Sequence, residues 1–131
     1  MTDKKMPVVM VIDDDEVNHL ILEKIMEKDG IKAVMADNGD TGLKIARKEL
    51  PDLILLDIFM PGDDGFEILR QFMSDPVLKD IPVIIFTILE REKSRKQALE
   101  MGARDYITKP FDMRDIVERI KKYLPDYHEN K

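Results

Sequence analysis

Short apolar runs alternate along the chain with longer segments in which apolar residues recur at helical spacing. Val8 to Ile12, Ile31 to Ala36, Leu53 to Leu56, Val83 to Phe86 and Asp105 to Thr108 read as strands. Several of these runs are apolar at every position rather than at alternate ones. Such strands are expected to be covered on both faces, as in a parallel sheet. Between and after the strands, residues 15–28, 40–49, 64–74, 90–101 and 112–124 carry helix patterns, and Gly30 and Gly102 stand where helices end. Repeated strand–helix units with right-handed crossovers predict an α/β fold: a doubly wound, five-stranded parallel sheet, strand order 2-1-3-4-5, helices on both faces.

The helices differ in their expected anchoring. In the first, Asn18, Ile21, Leu22, Ile25 and Met26 fit the spacing of a buried face, which leaves Val17 and Leu20 on the outer flank. In the last, Met113, Ile116, Val117, Ile120 and Leu124 should hold the helix to the sheet. The fourth opens with Glu90-Arg91-Glu92-Lys93-Ser94-Arg95-Lys96, with nothing apolar in it, so only Ala98, Leu99 and Met101 remain to dock it. A helix held so weakly is easily repositioned, although taken alone the pattern reads more simply as a solvated helix.

At 131 residues the chain fits one domain, expected over 1–131 with its core about 6–124 and a frayed tail from Pro125 to Lys131. Cysteine is absent, which removes disulfides and thiolate metal sites and makes a reducing cytoplasm the simplest setting. The only histidines, His19 and His128, are far apart in sequence, so a metal would be held by carboxylates: Mg²⁺, Mn²⁺ or Ca²⁺ rather than zinc. The net charge of −6, with acidic and basic residues intermixed, argues against a nucleic-acid surface. Lys4 and Lys5 precede an apolar run, but it is brief and ends in Asp13-Asp14-Asp15-Glu16, unlike a signal peptide. No apolar stretch approaches the roughly 20 residues that span a bilayer, so a membrane location is not expected.

Polar residues follow four of the apolar runs: Asp13-Asp14-Asp15 after the first, Asp57 after the third, Thr87 after the fourth and Lys109 after the fifth. In a doubly wound sheet the carboxyl ends of the strands meet at one crevice, at the switch point between the first and third strands. Asp13, Asp14 and Asp57 are thereby expected to converge. Neighbouring carboxylates repel, so either a proton or a hard cation must occupy the cluster. Mg²⁺ suits the cluster because it takes oxygen ligands and bridges carboxylates to phosphate. Carboxylates with Mg²⁺, a lysine and a hydroxyl suit phosphoryl chemistry, where charge neutralisation and positioning dominate. Taken singly, each residue has a plainer reading: an aspartate after a strand is commonly a helix N-cap, as expected of Asp15, a threonine forms turns, and a lysine is solvated.

The local sequences Val-Ile-Asp13-Asp14-Asp15, Asp57-Ile-Phe-Met60-Pro61-Gly62-Asp63-Asp64-Gly65, Phe86-Thr87 and Tyr106-Ile-Thr-Lys109-Pro110-Phe111 together resemble the signature of the response-regulator receiver family, over roughly residues 6 to 124. The resemblance implies a flavodoxin-like fold and a two-component phosphorelay switch, here a stand-alone, chemotaxis-regulator-like receiver. Asp57 would be the phosphoacceptor, Asp14 a direct Mg²⁺ ligand, Asp13 an acidic partner acting directly or through water, and the Phe59 main-chain carbonyl the remaining protein ligand. Lys109 would pair with phosphoryl oxygens, and the Lys109–Pro110 bond would be cis. Thr87 would donate a hydrogen bond to the phosphoryl group, draw in the loop after the fourth strand, and let Tyr106 rotate inward. That changes the face formed by the fourth helix, fifth strand and fifth helix. The implied partners are a histidine kinase or phosphotransfer protein, docking near Val17 and Leu20, and a downstream protein. Such a chain would catalyse only its own phosphorylation and dephosphorylation.

The chain departs from the family's pattern at Ile88, where a small residue is usual. Phe59 and Leu89 take two positions that flank the path of hydrolytic water, and their bulk implies a long-lived phosphorylated state. A rival reading starts from Asp13-Asp14-Asp15-Glu16-Val17, which also fits the opening motif of haloacid-dehalogenase-like phosphohydrolases, with Asp13 as nucleophile and Thr87 and Lys109 in the next two motifs. The chain is short for that fold, however, and Asp57-x-x-Met60-Pro61 would have no role in it.

Overall fold

The computed structural model describes residues 6–124. It contains β1 (Val8–Ile12), α1 (Glu16–Lys28), β2 (Lys32–Ala36), α2 (Gly39–Glu49), β3 (Leu53–Leu56), α3 (Gly65–Ser74), β4 (Val83–Thr87), α4 (Glu92–Glu100), β5 (Asp105–Thr108) and α5 (Met113–Tyr123). The strands form one parallel sheet in the order β2-β1-β3-β4-β5, as expected. The expected tail from Pro125 onward lies outside the described residues.

Side-chain alternation along the strands divides the core in two. Met10, Ile12, Ile54, Leu56, Val83, Ile85 and Tyr106 pack with residues of α2, α3 and α4. Val9, Val11, Leu53, Leu55, Ile84, Phe86 and Ile107 pack with Leu22 and Met26 of α1 and Ile116 and Ile120 of α5. Every residue of β3 and β4 is buried, which explains why those runs show no polar alternation. β2, at the edge, is only partly covered.

Most boundaries fall within a residue or two of expectation, and Asp15, Asp64 and Asp112 stand as N-caps just outside their helices. Ile31 is buried but outside β2, because its N–H donates to the Met26 carbonyl at 2.9 Å and closes α1 beyond Gly30, whose φ is +73°. Helix α4 starts at Glu92 rather than Glu90; the preceding Arg91 makes no side-chain capping bond.

Three helix-face assignments are corrected. Ile21 of α1 is exposed, so that helix docks through Leu22 and Met26 with Ile25 half-buried, and its outer flank is more apolar than the spacing implied. Met113 is exposed because it opens α5, before the helix has turned its Ile116–Ile120 stripe onto the sheet. Leu99 is also exposed. The inner stripe of α4 consists of half-buried Ser94, buried Ala98 and half-buried Met101, spaced four and three residues apart.

Candidate functional site

The strand order brings the carboxyl ends of β1, β3, β4 and β5 to one edge of the sheet, with β1 beside β3. Asp13 follows β1 directly and Asp57 follows β3, and the Asp57 N–H donates to the Ile12 carbonyl at 3.0 Å, so the ladder itself fixes their separation. Carboxylate oxygens of Asp13, Asp14 and Asp57 all lie within 4.8 Å of one another. Asp13 and Asp57 are buried, whereas Asp14 faces solvent. Asp15 caps α1, its carboxylate accepting the Val17 N–H at 2.9 Å.

Lys109 reaches across from the end of β5. Its Nζ lies 2.8 Å from Asp13 Oδ2 and 2.9 Å from Asp57 Oδ2. The Lys109–Pro110 peptide is cis. Asp57 Oδ1 accepts the Phe59 N–H at 2.8 Å, which begins the turn into the β3–α3 loop. That loop is anchored at its far end as well. Asp64 caps α3, Asp63 Oδ2 accepts the Gly39 N–H of α2 at 2.8 Å, and a Cβ on Gly65 would lie 2.2 Å from the Ile58 Cα, so only glycine fits there.

Burial raises the Asp57 carboxyl above the usual carboxylate range, against the lowering effect of the Phe59 N–H and of Lys109. For Lys109, burial acts to lower the ammonium, but its bonds to Asp13 and Asp57 prevail and the net direction is upward. The ion pair therefore outweighs burial for the lysine, which has two carboxylate partners, whereas burial outweighs the ion pair for Asp57.

Three clustered carboxylates, two of them paired with one ammonium, leave two negative charges in excess. All the offered ligand atoms are oxygens, and no histidine belongs to the group. A hard divalent cation matches both the charge and the donor set.

Thr87 is fully buried at the end of β4, and its Oγ1 accepts the Leu89 N–H at 3.4 Å. Tyr106 is also buried, and its hydroxyl donates to the Leu89 carbonyl at 2.8 Å. The peptide groups of one residue therefore connect Thr87 to Tyr106. Burial pushes the Tyr106 hydroxyl above its ordinary range, opposed first by the Arg95 guanidinium. Phe59 and Ile88 stand more than half exposed, at 53% and 54%, while Leu89 is half-buried against the core that includes Met60 and Tyr106.

Two contacts were not anticipated from the sequence. Asn18 Nδ2 donates to Asp13 Oδ2 at 3.2 Å, so this residue of the inner face of α1 serves the carboxylate cluster. Its place one turn into the helix that follows Asp13 was the available signal. The Lys109 Nζ also sits 4.8 Å from the centroid of the buried Phe86 ring.

Similarity to known proteins agrees with this geometry. The family described as response regulator receiver domain matches residues 9–121. Protein PilH of Pseudomonas aeruginosa is 38% identical over 116 residues, covering 88% of this chain and 96% of PilH. Response regulator PleD of Caulobacter vibrioides is 40% identical over 113 residues, covering 86% of this chain; the chain spans only about a quarter of PleD, 25%. Among solved structures, a response regulator described as putative from Chloroflexus aurantiacus superposes with a TM-score of 0.85 at 29% identity, covering 92% of this chain and 98% of that one. A family match across nearly the whole sheet, and a relative matched over almost its full length, establish that the chain belongs to the response regulator receiver domain family.

Proposed function

We propose that the chain is a single receiver domain in which Asp57 accepts a phosphoryl group, and that the resulting change is read by another protein. Receiver domains are signalling switches that take phosphoryl groups from histidine kinases. The observation that carries the assignment to Asp57 is its position: one carboxylate oxygen is held by the Phe59 N–H, the other by Lys109, beside two further aspartates.

In the proposed reaction an Asp57 oxygen attacks phosphorus, an O–P bond forms, and the bond from phosphorus to the donor's imidazole nitrogen breaks as that imidazole recovers a proton. Lys109 shifts its ammonium from the carboxylates to the phosphoryl oxygens. Asp13, Asp14, Asp57 and the Phe59 main-chain carbonyl would hold Mg²⁺, which supplies neutralisation of the charge on the transferring group. Thr87 gives up its acceptor role toward Leu89 and donates its hydroxyl hydrogen to a phosphoryl oxygen. Because Leu89 also holds Tyr106, that rotation changes the support of the inward tyrosine and of α4, whose inner stripe is small and partly polar. Phosphorylation shifts a population only through contacts that differ between the two arrangements, and this loop supplies them.

The phosphohydrolase reading fits the geometry poorly. Asp13 is fully buried, its Oδ1 accepts the Asp15 N–H at the start of α1 and its Oδ2 is shared by Asn18 and Lys109, so it serves as a bracing carboxylate, and that reading gives Asp57, which shares the same lysine, no role. The proposed donor is a histidine kinase or phosphotransfer protein docking on the exposed Val17, Leu20 and Ile21 beside the site. A cytoplasmic location is part of the same proposal; among the described residues no helix is long and apolar enough to cross a membrane. To test the docking assignment, phosphotransfer from the cognate donor is compared with phosphorylation by a small acyl phosphate in Val17→Asp/Leu20→Asp. Transfer should fall while small-donor labelling is retained, and unchanged transfer would refute the docking site.

A further inference from the structure

Lys109 has a third neighbour besides its two carboxylates. The Phe86 ring is fully buried at the end of β4, and its centroid is 4.8 Å from Lys109 Nζ. The Phe111 ring meets it edge-on, with centroids 5.2 Å apart and planes at 67°. The two rings come from the strand before Thr87 and the segment after Lys109, so together they brace the connection between the two site residues. An aliphatic residue would fill the same space. An aromatic face differs in presenting negative charge density to an ammonium, and the attraction strengthens where water is excluded.

The carboxylates that hold Lys109 are the groups whose charge is redistributed in the proposed reaction. In that reaction the ammonium must release the Asp57 and Asp13 oxygens and turn to the phosphoryl oxygens, so its hydrogen-bond partners are exchanged. The Phe86 face takes no part in that exchange. We propose that Phe86, braced by Phe111, is a positioning residue: its ring face keeps the Lys109 ammonium in the site while the carboxylate partners change. The proposal rests on the assignment of Asp57 as acceptor and of Lys109 as its phosphoryl partner.

Fluorinated phenylalanines at position 86 weaken the ring's negative face with little change of shape. The full chain carrying mono-, di- and trifluorophenylalanine there is phosphorylated with acetyl phosphate and Mg²⁺, and the rate of labelling at Asp57 is measured alongside the melting temperature. The rate should fall stepwise, by about fivefold at the trifluoro stage, while the melting temperature stays level. Phe86→Leu, which keeps an apolar side chain but removes the face, should reproduce the full loss. In a Lys109→Met background the fluorine series should be flat. Equal rates across the series in the Lys109 protein, or the same stepwise loss without Lys109, would overturn the role of Phe86 while leaving the acceptor assignment intact. Label on a residue other than Asp57 would overturn the acceptor assignment, and the role of Phe86 with it.

Discussion

The Tyr106 hydroxyl donates to the main-chain carbonyl of Leu89 at 2.8 Å, and the same residue's N–H points to Thr87 Oγ1 at 3.4 Å. The Thr87 hydroxyl, proposed to meet the phosphoryl group, and the buried Tyr106 are therefore tied to one peptide segment, the loop that leads into α4. Tyr106→Phe keeps the ring and removes the donor, leaving the Leu89 carbonyl short of a partner. A loss of about 1 kcal/mol in urea unfolding is expected, together with weaker binding of the protein that reads the phosphorylated form. Unchanged stability and unchanged partner binding would show that the bond couples nothing.

Burial holds the Asp57 carboxyl above the ordinary aspartate value of 3.8. A carboxyl raised in the folded state contributes stability that is fully present below the unfolded pKa and is lost as pH rises through the folded pKa. At neutral pH the ionised Asp57 is thus a liability to the fold, so Asp57→Asn should melt higher than wild type in a chelating buffer. The gap should close as pH falls toward and below 3.8, where both proteins are neutral at this position. Thermal melts across that range measure it, and a gap that widens toward acid would contradict the assigned environment.

Lys109 is the counterpart. Its ammonium is raised above 10.5 in the folded state, so its stabilisation is complete below 10.5 and is lost only as pH rises through the folded value. Lys109→Met leaves two buried carboxylates without their shared cation and should cost roughly 3 kcal/mol at neutral pH. Denaturant midpoints provide the measurement. Added Mg²⁺ should recover part of the loss, because a cation that binds only the folded carboxylate cluster stabilises it.

Phe59, two residues after Asp57, and Ile88, next to Thr87, are exposed, and Leu89 packs against the core, so we propose that these side chains shield the phosphorylated Asp57 from water. Phe59→Asn and Leu89→Glu together should shorten the life of the phosphorylated form several-fold by admitting hydrolytic water. Loss of label after removal of the donor reads the lifetime directly, and equal lifetimes would remove these side chains from any protective role.

The sheet was legible because β3 and β4 are buried on both faces, and a strand in that setting needs apolar residues throughout. The carboxylate cluster was legible because strand order and chain direction place Asp13 and Asp57 before any side-chain detail is known. Helical periodicity did less well at element ends. Met113 matches the stripe of α5 but opens the helix, and Ile21 lies at the margin of α1's inner face, so neither is covered. Contacts between distant side chains were invisible for a different reason. Lys109 meeting the Phe86 ring, Asp63 meeting the first N–H of α2, and the peptide groups of Leu89 joining Thr87 to Tyr106 all depend on loop paths that residue types alone leave open. Ser94 on the inner stripe of α4 carries no apolar signal, although a small hydroxyl fits a partly buried position.

The central claim is that Asp57 is the acceptor. Phosphorylating the chain with labelled acetyl phosphate and Mg²⁺, reducing the acyl phosphate with borohydride, and identifying the residue converted to homoserine tests it most directly. Conversion at Asp57, abolished in Asp57→Asn, is the expected result. Conversion at Asp13, with label persisting in Asp57→Asn, would contradict it.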